Sequence, residues 1–392
     1  MAPKAPGWFC GRAPSLPRLT LALAAALVGL WIGKLTLAAA MLHQDPLQAS
    51  RLDPGNASAI AAAARQSMEA GKVAQARRDA IAALRRDPTA VAAVQTLGIT
   101  ARDPATARGW LDYAERLSRR ELQTNLWAIE YYVARSDTAA VLRRYDLALR
   151  TSVSARDTLF PILGQAIADP TVARALVTRL AAAPFWKDAF FDFVAADERT
   201  APLQAARFLA TVRQHGMAIP PAGLSALVFR ALNAGRPDIA WYAYSLKRPS
   251  ADRRRSRNPN FAEQLDNPAM FDWTMADDGG ILARIVREGT GSFLEVEASP
   301  GAGGLAAQQF QMLPPGAYQL RVAGQSGPAK AVTWTLTCED GTDLARVAGQ
   351  GSARATVPPG CRRQSLKLDV YAGDLPDGVH ARFAHASIVP AA

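Results

Sequence analysis

Histidine and cysteine are the scarce residues of this chain, four and three among 392. The histidines are spread out, apart from His380 and His385. Positions five apart on a strand face opposite sides, so local geometry gives that pair no shared metal. No metal and no cofactor is expected. No Ser-His-Asp arrangement, nucleophile elbow or P-loop occurs, so the chain reads as a binding protein and not an enzyme. Acidic residues are also short, 34 against 45 lysines and arginines, for a formal net charge of +11. Such a balance suits nucleic acid, an acidic polymer or an anionic membrane surface, or reflects an arginine-rich composition. No recognition-helix, RNP-like or zinc-finger pattern accompanies it, which argues against nucleic acid. Only Arg253, Arg254, Arg255 and Arg257 form a basic run, and it reads as a linker.

One long apolar run exists, Leu19 to Leu42, interrupted by the single charge of Lys34. Twenty-four helical residues reach about 36 Å, enough for a bilayer core of about 30 Å. Lys4, Arg12 and Arg18 precede it, so the N-terminus stays cytoplasmic and the remainder is exported. Lys34 lies off-centre and can snorkel outward. The rival is a cleaved signal peptide, with small residues at Ala38-Ala39-Ala40. No lipobox cysteine follows. Both readings place the body in the periplasm or its equivalent; the first makes it a single-pass inner-membrane protein. Cys10 is then a cytosolic thiol, whereas Cys338 and Cys361 travel together into an oxidising space and are expected to form a disulfide. The alternative is two separately buried thiols.

The expected order of parts is a cytoplasmic N-terminus (1–18), a transmembrane signal-anchor (19–42), an α-solenoid (55–248), a basic linker (249–260) and a β-sandwich (261–392). The fold class is thus a multi-domain α + β chain. From Asn56 to Leu246 apolar residues recur at three- and four-residue spacing. Asp87-Pro88, Asp103-Pro104 and Asp169-Pro170 join a capping residue to a proline suited to a first helical turn. Phe185, Trp186, Phe190, Phe191 and Phe193 have the spacing of one buried helical stripe, and Trp241, Tyr242 and Tyr244 belong to the last helix. After Arg257 period-two alternation takes over. The clearest runs are Val332, Trp334, Leu336, Cys338 and Leu366, Leu368, Val370 inward, with Lys367, Asp369 and Tyr371 outward. Eight or nine such strands argue for an antiparallel sandwich, with a jelly roll as first choice.

The span Gly55 to Pro88 resembles a tetratricopeptide repeat: Ala64 on a first helix, Gly71 at the turn, Ala76, Ala80 and Leu84 on a second. Such hairpins imply a groove for a protein segment, or a rigid spacer. The C-terminal part resembles the carbohydrate-binding-module class of jelly rolls. The tandem is similar to proteobacterial envelope proteins linked to exopolysaccharide or capsule production. That likeness rests on Asn258-Pro259 to Phe261, Phe271-Asp272-Trp273, the turn from Leu313 to Leu320, and Trp334 followed by Cys338. It implies envelope polysaccharide, or the proteins that make and export it, as partners, and no catalytic residue.

Sugar recognition needs flat aromatic faces beside planar polar groups. Tyr371 with Asp369 and Lys367 is the first candidate, and Trp273 with Asp272 the second. Glu295 and Glu297 are the best pair for glycosidase chemistry, although alternating charge on a wet strand face is the commoner meaning. Asp277 and Asp278 before Gly279-Gly280 read as a turn, at which a calcium ion is a lesser alternative.

Overall fold

The computed structural model describes residues 16–263, 265–325 and 328–391. Lys4, Cys10 and Arg12, assigned above to the cytoplasmic flank, lie outside the described residues. The chain divides into two compact units, Met1–Val153 and Ser154–Ala392. Among the described residues there are fourteen α-helices followed by two antiparallel sheets.

The first unit holds α1 (Leu16–Met41), α2 (Pro46–Leu52), α3 (Ala57–Glu69), α4 (Val73–Arg86), α5 (Val91–Ile99), α6 (Pro104–Leu117), α7 (Leu122–Val133) and α8 (Thr138–Thr151). Helix α1 leaves Leu21, Leu23, Leu30 and Trp31 exposed, and its segment Leu23–Met41 is long and apolar enough to cross a membrane or to act as a signal. The following helices pack as hairpins, α3 on α4, α5 on α6 and α7 on α8. Alanines make the close approach possible: Ala64, Ala80, Ala83 and Ala93 are fully buried in one cluster with Leu97. Gly71 turns the first hairpin at φ 73°, a conformation that favours glycine. Asp103 caps α6 by accepting from the Thr106 amide at 2.8 Å, and Pro104 opens the helix. That hydrogen bond holds the Asp103 carboxyl below its ordinary pKa. Gly98 has a packing reason. A methyl group there meets the Trp127 indole at 2.4 Å. Gly98→Ala is expected to destabilise the first unit by about 1–3 kcal/mol in a denaturant melt, the usual cost of overpacking.

The second unit opens with α9 (Ala155–Ala166), α10 (Pro170–Ala181), α11 (Lys187–Ala196), α12 (Pro202–Gln214), α13 (Pro221–Asn233) and α14 (Pro237–Lys247). Alternate helices are neighbours: α9 packs on α11 and α11 on α13, while α10 packs on α12 and α12 on α14. Trp186, Phe190 and Phe191 are buried among them, and Phe160 and Phe208 complete the cluster. Phe185 departs from the stripe: it is exposed, with the Arg156 guanidinium 5.4 Å above its ring.

The strands are β1 (Thr274–Met275), β2 (Asp277–Asp278), β3 (Ile281–Glu288), β4 (Gly291–Ala298), β5 (Gly303–Gln311), β6 (Gly316–Gln325), β7 (Val332–Cys338), β8 (Asp343–Ala348), β9 (Gly351–Val357), β10 (Gln364–Tyr371) and β11 (Val379–Pro390). The first sheet has the order β1-β5-β10-β7-β8, the second β2-β3-β4-β11-β6-β9. The pairs β4–β11, β5–β10, β6–β9 and β7–β8 nest inside one another, as in a long hairpin wrapped into two layers. Between the layers lie Trp273, Trp334, Phe383, Leu366 and Leu368, all at 0% exposure. Strands β8 and β9 have no counterpart among the alternating runs read from the sequence. Their inward positions are Ala345, Val347, Ala355 and Val357, small residues set between arginines.

Candidate ligand-binding face of the sandwich

Strand β10 sets the geometry of the first sheet's outer face. Its alternation buries Leu366, Leu368 and Val370 and turns Lys367, Asp369 and Tyr371 outward. Tyr371 lies opposite Gly303 of β5, Asp369 opposite Leu305 and Thr333, and Lys367 opposite Gln308 and Thr335. Arg346 of β8 pairs with Thr335 one strand further. A ring, an acid, two cations and several hydroxyls thus share one face.

The Tyr371 side chain is 69% exposed, and two glycines make room for it. A Cβ at Gly303 falls 2.7 Å from Tyr371 Cδ2, and one at Gly373 falls 3.0 Å from Cε1. The ring therefore nests between two bare stretches of backbone, which fixes its position without a buried anchor. Two residues along the strand, Asp369 is half-buried. Burial raises its carboxyl above the ordinary pKa, even though Lys367 and Arg346 pull the other way. Among the described residues no ion pair within 4.0 Å engages Asp369 or Lys367, so both retain hydrogen-bonding capacity for a ligand.

Trp273 and Asp272 do not join this face. Trp273 is at 0% exposure, its ring 5.6 Å from Phe261 and 5.9 Å from Trp334, and its indole N–H donates to the Asn258 carbonyl. Asp272 is 3% exposed and accepts from Tyr244 Oη at 2.7 Å, the Ala269 amide at 2.9 Å and Lys247 Nζ at 3.4 Å. The aromatic-plus-acid pattern looked like a sugar contact, but Tyr244 and Lys247 of α14 claim the acid and the sandwich core claims the indole, partners invisible in local sequence. Burial lowers the Lys247 ammonium pKa and raises that of the Tyr244 phenol.

Arg257 belongs to the same buried cluster, against its reading as linker. It is 9% exposed. Its guanidinium donates to the Phe271 carbonyl at 2.9 Å, to Gln311 Oε1 at 2.7 Å and to the Phe310 carbonyl, and lies 5.6 Å from the Trp241 ring centre. Its own amide and carbonyl close a ring of bonds with Gln309. Burial pulls its pKa down to about 10. A cleft of about 210 Å³ lined by Arg248, Asp252, Arg255 and Glu263 opens beside it. The only sequence signal for this cluster was the pair Gln309 and Gln311 on the inward positions of a strand.

Glu295 and Glu297 share the second sheet's outer face, where one guanidinium takes both: Arg284 lies 2.8 Å from Glu295 and 3.1 Å from Glu297. Both carboxylates are thereby engaged in a wet-face ion-pair network. Among the described residues no group of three or more His, Cys, Asp or Glu side chains is arranged to hold a metal ion. His380 and His385 were expected on opposite faces. A bulge between Phe383 and His385 in β11 corrects the expectation by shifting the register and turning both outward. Cys338 and Cys361 are joined by a disulfide, with Cα atoms 5.7 Å apart and both residues buried.

No family model matches the chain, and no curated protein does either. Among solved structures, it is similar to a carbohydrate-binding module described as "CBM4 structure and function", with 13% identity over 35% of this chain and 99% of that one, at a TM-score of 0.27. It is similar to TmCBM61, determined with β-1,4-galactotriose, at 13% identity over 34% of this chain and 97% of that one, TM-score 0.26. It is also similar to PilF of Pseudomonas aeruginosa, at 18% identity over 50% of this chain and 93% of that one, TM-score 0.27. At these values none of the three bears on function.

Proposed function

We propose that this protein is a non-enzymatic, membrane-anchored component of the cell envelope that supports exopolysaccharide or capsule assembly or export. The N-terminal helix holds it to the inner membrane, and the disulfide suits the oxidising side of that membrane. The hairpins of the first unit act as tetratricopeptide-like repeats for protein partners. The sandwich, whose nested strand pairing is that of a jelly roll, binds a glycan on its first sheet.

The observation that carries this reading is the Tyr371 ring. It is exposed, seated between Gly303 and Gly373, and shares its face with Asp369 and Lys367. A sugar ring lies on the tyrosine through its C–H face while its hydroxyls reach the carboxylate and the ammonium. The full-length chain in detergent micelles is expected to bind members of a bacterial polysaccharide array. Tyr371→Ala should weaken that binding by about tenfold or more, with the melting profile unchanged because the ring is exposed. No binding by the unaltered chain, or equal binding by the variant, would remove the proposal.

A second reading, a scaffold that docks proteins alone, is favoured by one feature. A groove of about 360 Å³ runs between α10 and α12, with Ile167, Pro170, Ala173 and Phe208 as its apolar walls and Arg174 and Arg207 at its edge. Crosslinking to envelope subunits that persists when all polysaccharide is removed supports that alternative.

A further inference from the structure

The second sheet carries its charge unevenly. Strands β6, β9 and β11 contain no acidic residue along their whole length. The acids of this sheet sit on β2, β3 and β4, away from β6 and β9, and three of them hold arginines: Glu295 and Glu297 share Arg284, and Glu288 holds Arg382. Arg321 of β6 and Arg354 of β9 are both exposed, and neither makes an ion pair with a carboxylate among the described residues. Arg321 Nε and Nη2 donate to Gln319 Oε1 at 3.0 and 2.7 Å, which holds the guanidinium along the face and leaves its remaining nitrogen free for a ligand.

The register brings the two arginines together. Arg321 lies opposite Ser352, Arg354 is two residues further along β9, and Gln319 is opposite Arg354. Diagonal neighbours of this kind are about 7–8 Å apart. Ser387 of β11 lies on the other side of Arg321. The histidine beside them registers the field. The His385 ring has its pKa lowered by burial and, next, by the positive charge of Arg321. None of the exposed large apolar side chains belongs to these three strands, so nothing enters a bilayer from this face. No phenylalanine, tyrosine or tryptophan is exposed on them either, so they lack the large rings of a base-stacking platform. What remains is a cationic surface of Arg321, Arg354, Gln319 and Ser352, suited to a chain of hydroxyls and carboxylates.

We propose that the outer face of β6, β9 and β11 binds a linear acidic polysaccharide, with Arg321 and Arg354 pairing with its carboxylates. The inference rests on the glycan-binding reading of the sandwich, but it uses the sheet opposite Tyr371, so the two fail separately. The probe is polygalacturonate, with dextran as its neutral counterpart, titrated against the full-length chain in detergent micelles at about 20 mM and about 200 mM salt.

The unaltered chain should bind polygalacturonate in preference to dextran, and more tightly at low salt. Arg321→Gln/Arg354→Gln should bind about tenfold more weakly with a shallower salt dependence, the scale of one or two lost charge-assisted contacts. Arg321→Lys/Arg354→Lys should recover much of the loss, and Tyr371→Ala should leave polygalacturonate binding unchanged. Equal melting profiles of the exposed-site variants certify folding. The inference is overturned if the unaltered chain ignores polygalacturonate at low salt or if the glutamine variant binds as well. It is equally overturned if Tyr371→Ala abolishes this binding, or if anionic vesicles or duplex DNA bind as tightly.

Discussion

Replacing Arg257 by alanine should lower the stability of the second unit by about 4 kcal/mol. The guanidinium is enclosed between Trp241 and Phe271 and donates to backbone carbonyls of Phe271 and Phe310 and to Gln311. Removing it leaves these acceptors buried without donors, and each orphan costs about 1–3 kcal/mol. A methionine of similar volume fares little better. Exchange of a buried charge for an apolar side chain is tolerated when both partners are replaced, and backbone carbonyls cannot be replaced. Lysine offers one nitrogen where three directions are needed, so Arg257→Lys should recover only part of the loss. For a unit of this size the alanine variant should melt about 8–16 °C lower. A melting point within a degree or two of the unaltered chain contradicts the arrangement. The same physics predicts that a sandwich fragment starting at residue 258 folds poorly, because Arg257 and its donors are gone.

The second large effect concerns the disulfide. Cys338 ends β7, and Cys361 lies in the loop before β10, 23 residues further on. Closing a loop of that length restricts the unfolded chain by about 3 kcal/mol. Reduction, or replacement of both cysteines by alanine, should therefore lower sandwich stability by about that amount in a denaturant titration. Most of the loss should appear in the unfolding midpoint and not in the native spectrum, since the sulfurs are bonded next to a core that Trp334 and Leu366 already fill. A midpoint indifferent to reductant contradicts the bond.

These residues also mark where sequence reading succeeds. The Val332–Cys338 and Leu366–Tyr371 alternations were legible because period two is a local property, and the structure places those side chains on the expected faces. The bond itself was suggested by the expected export of Cys338 and Cys361 into an oxidising space, not by the strands. Two of the three Asp-Pro pairs were legible too: Asp103 and Asp169 cap their helices, capping being a matter of three or four residues, whereas Asp87 ends α4 and α5 starts only at Val91. Arg257, Asp272 and Trp273 were not legible. Each has the composition of a surface or a ligand site, and each is buried by a partner 14 to 54 residues away. Local pattern carries no information about such contacts. The glycines that seat Tyr371 were equally hidden, since Gly303 meets the ring only through the β5–β10 register. The bulge in β11 defeated the face assignment of His385 for a related reason: one extra residue reverses every later side chain.

Whether the body of the chain leaves the cytoplasm is the claim on which the envelope reading depends, and the three cysteines can report it in a single gel. Cells are quenched in acid, the protein is denatured with a mass-tagged maleimide, and tags are counted before and after reduction. The expected result for the anchored chain is one tag before reduction, on Cys10, and three after it; a cleaved leader gives none and then two. Three tags without reduction would mean that Cys338 and Cys361 reside as free thiols in a reducing compartment, and the account of an exported glycan-binding protein would be wrong.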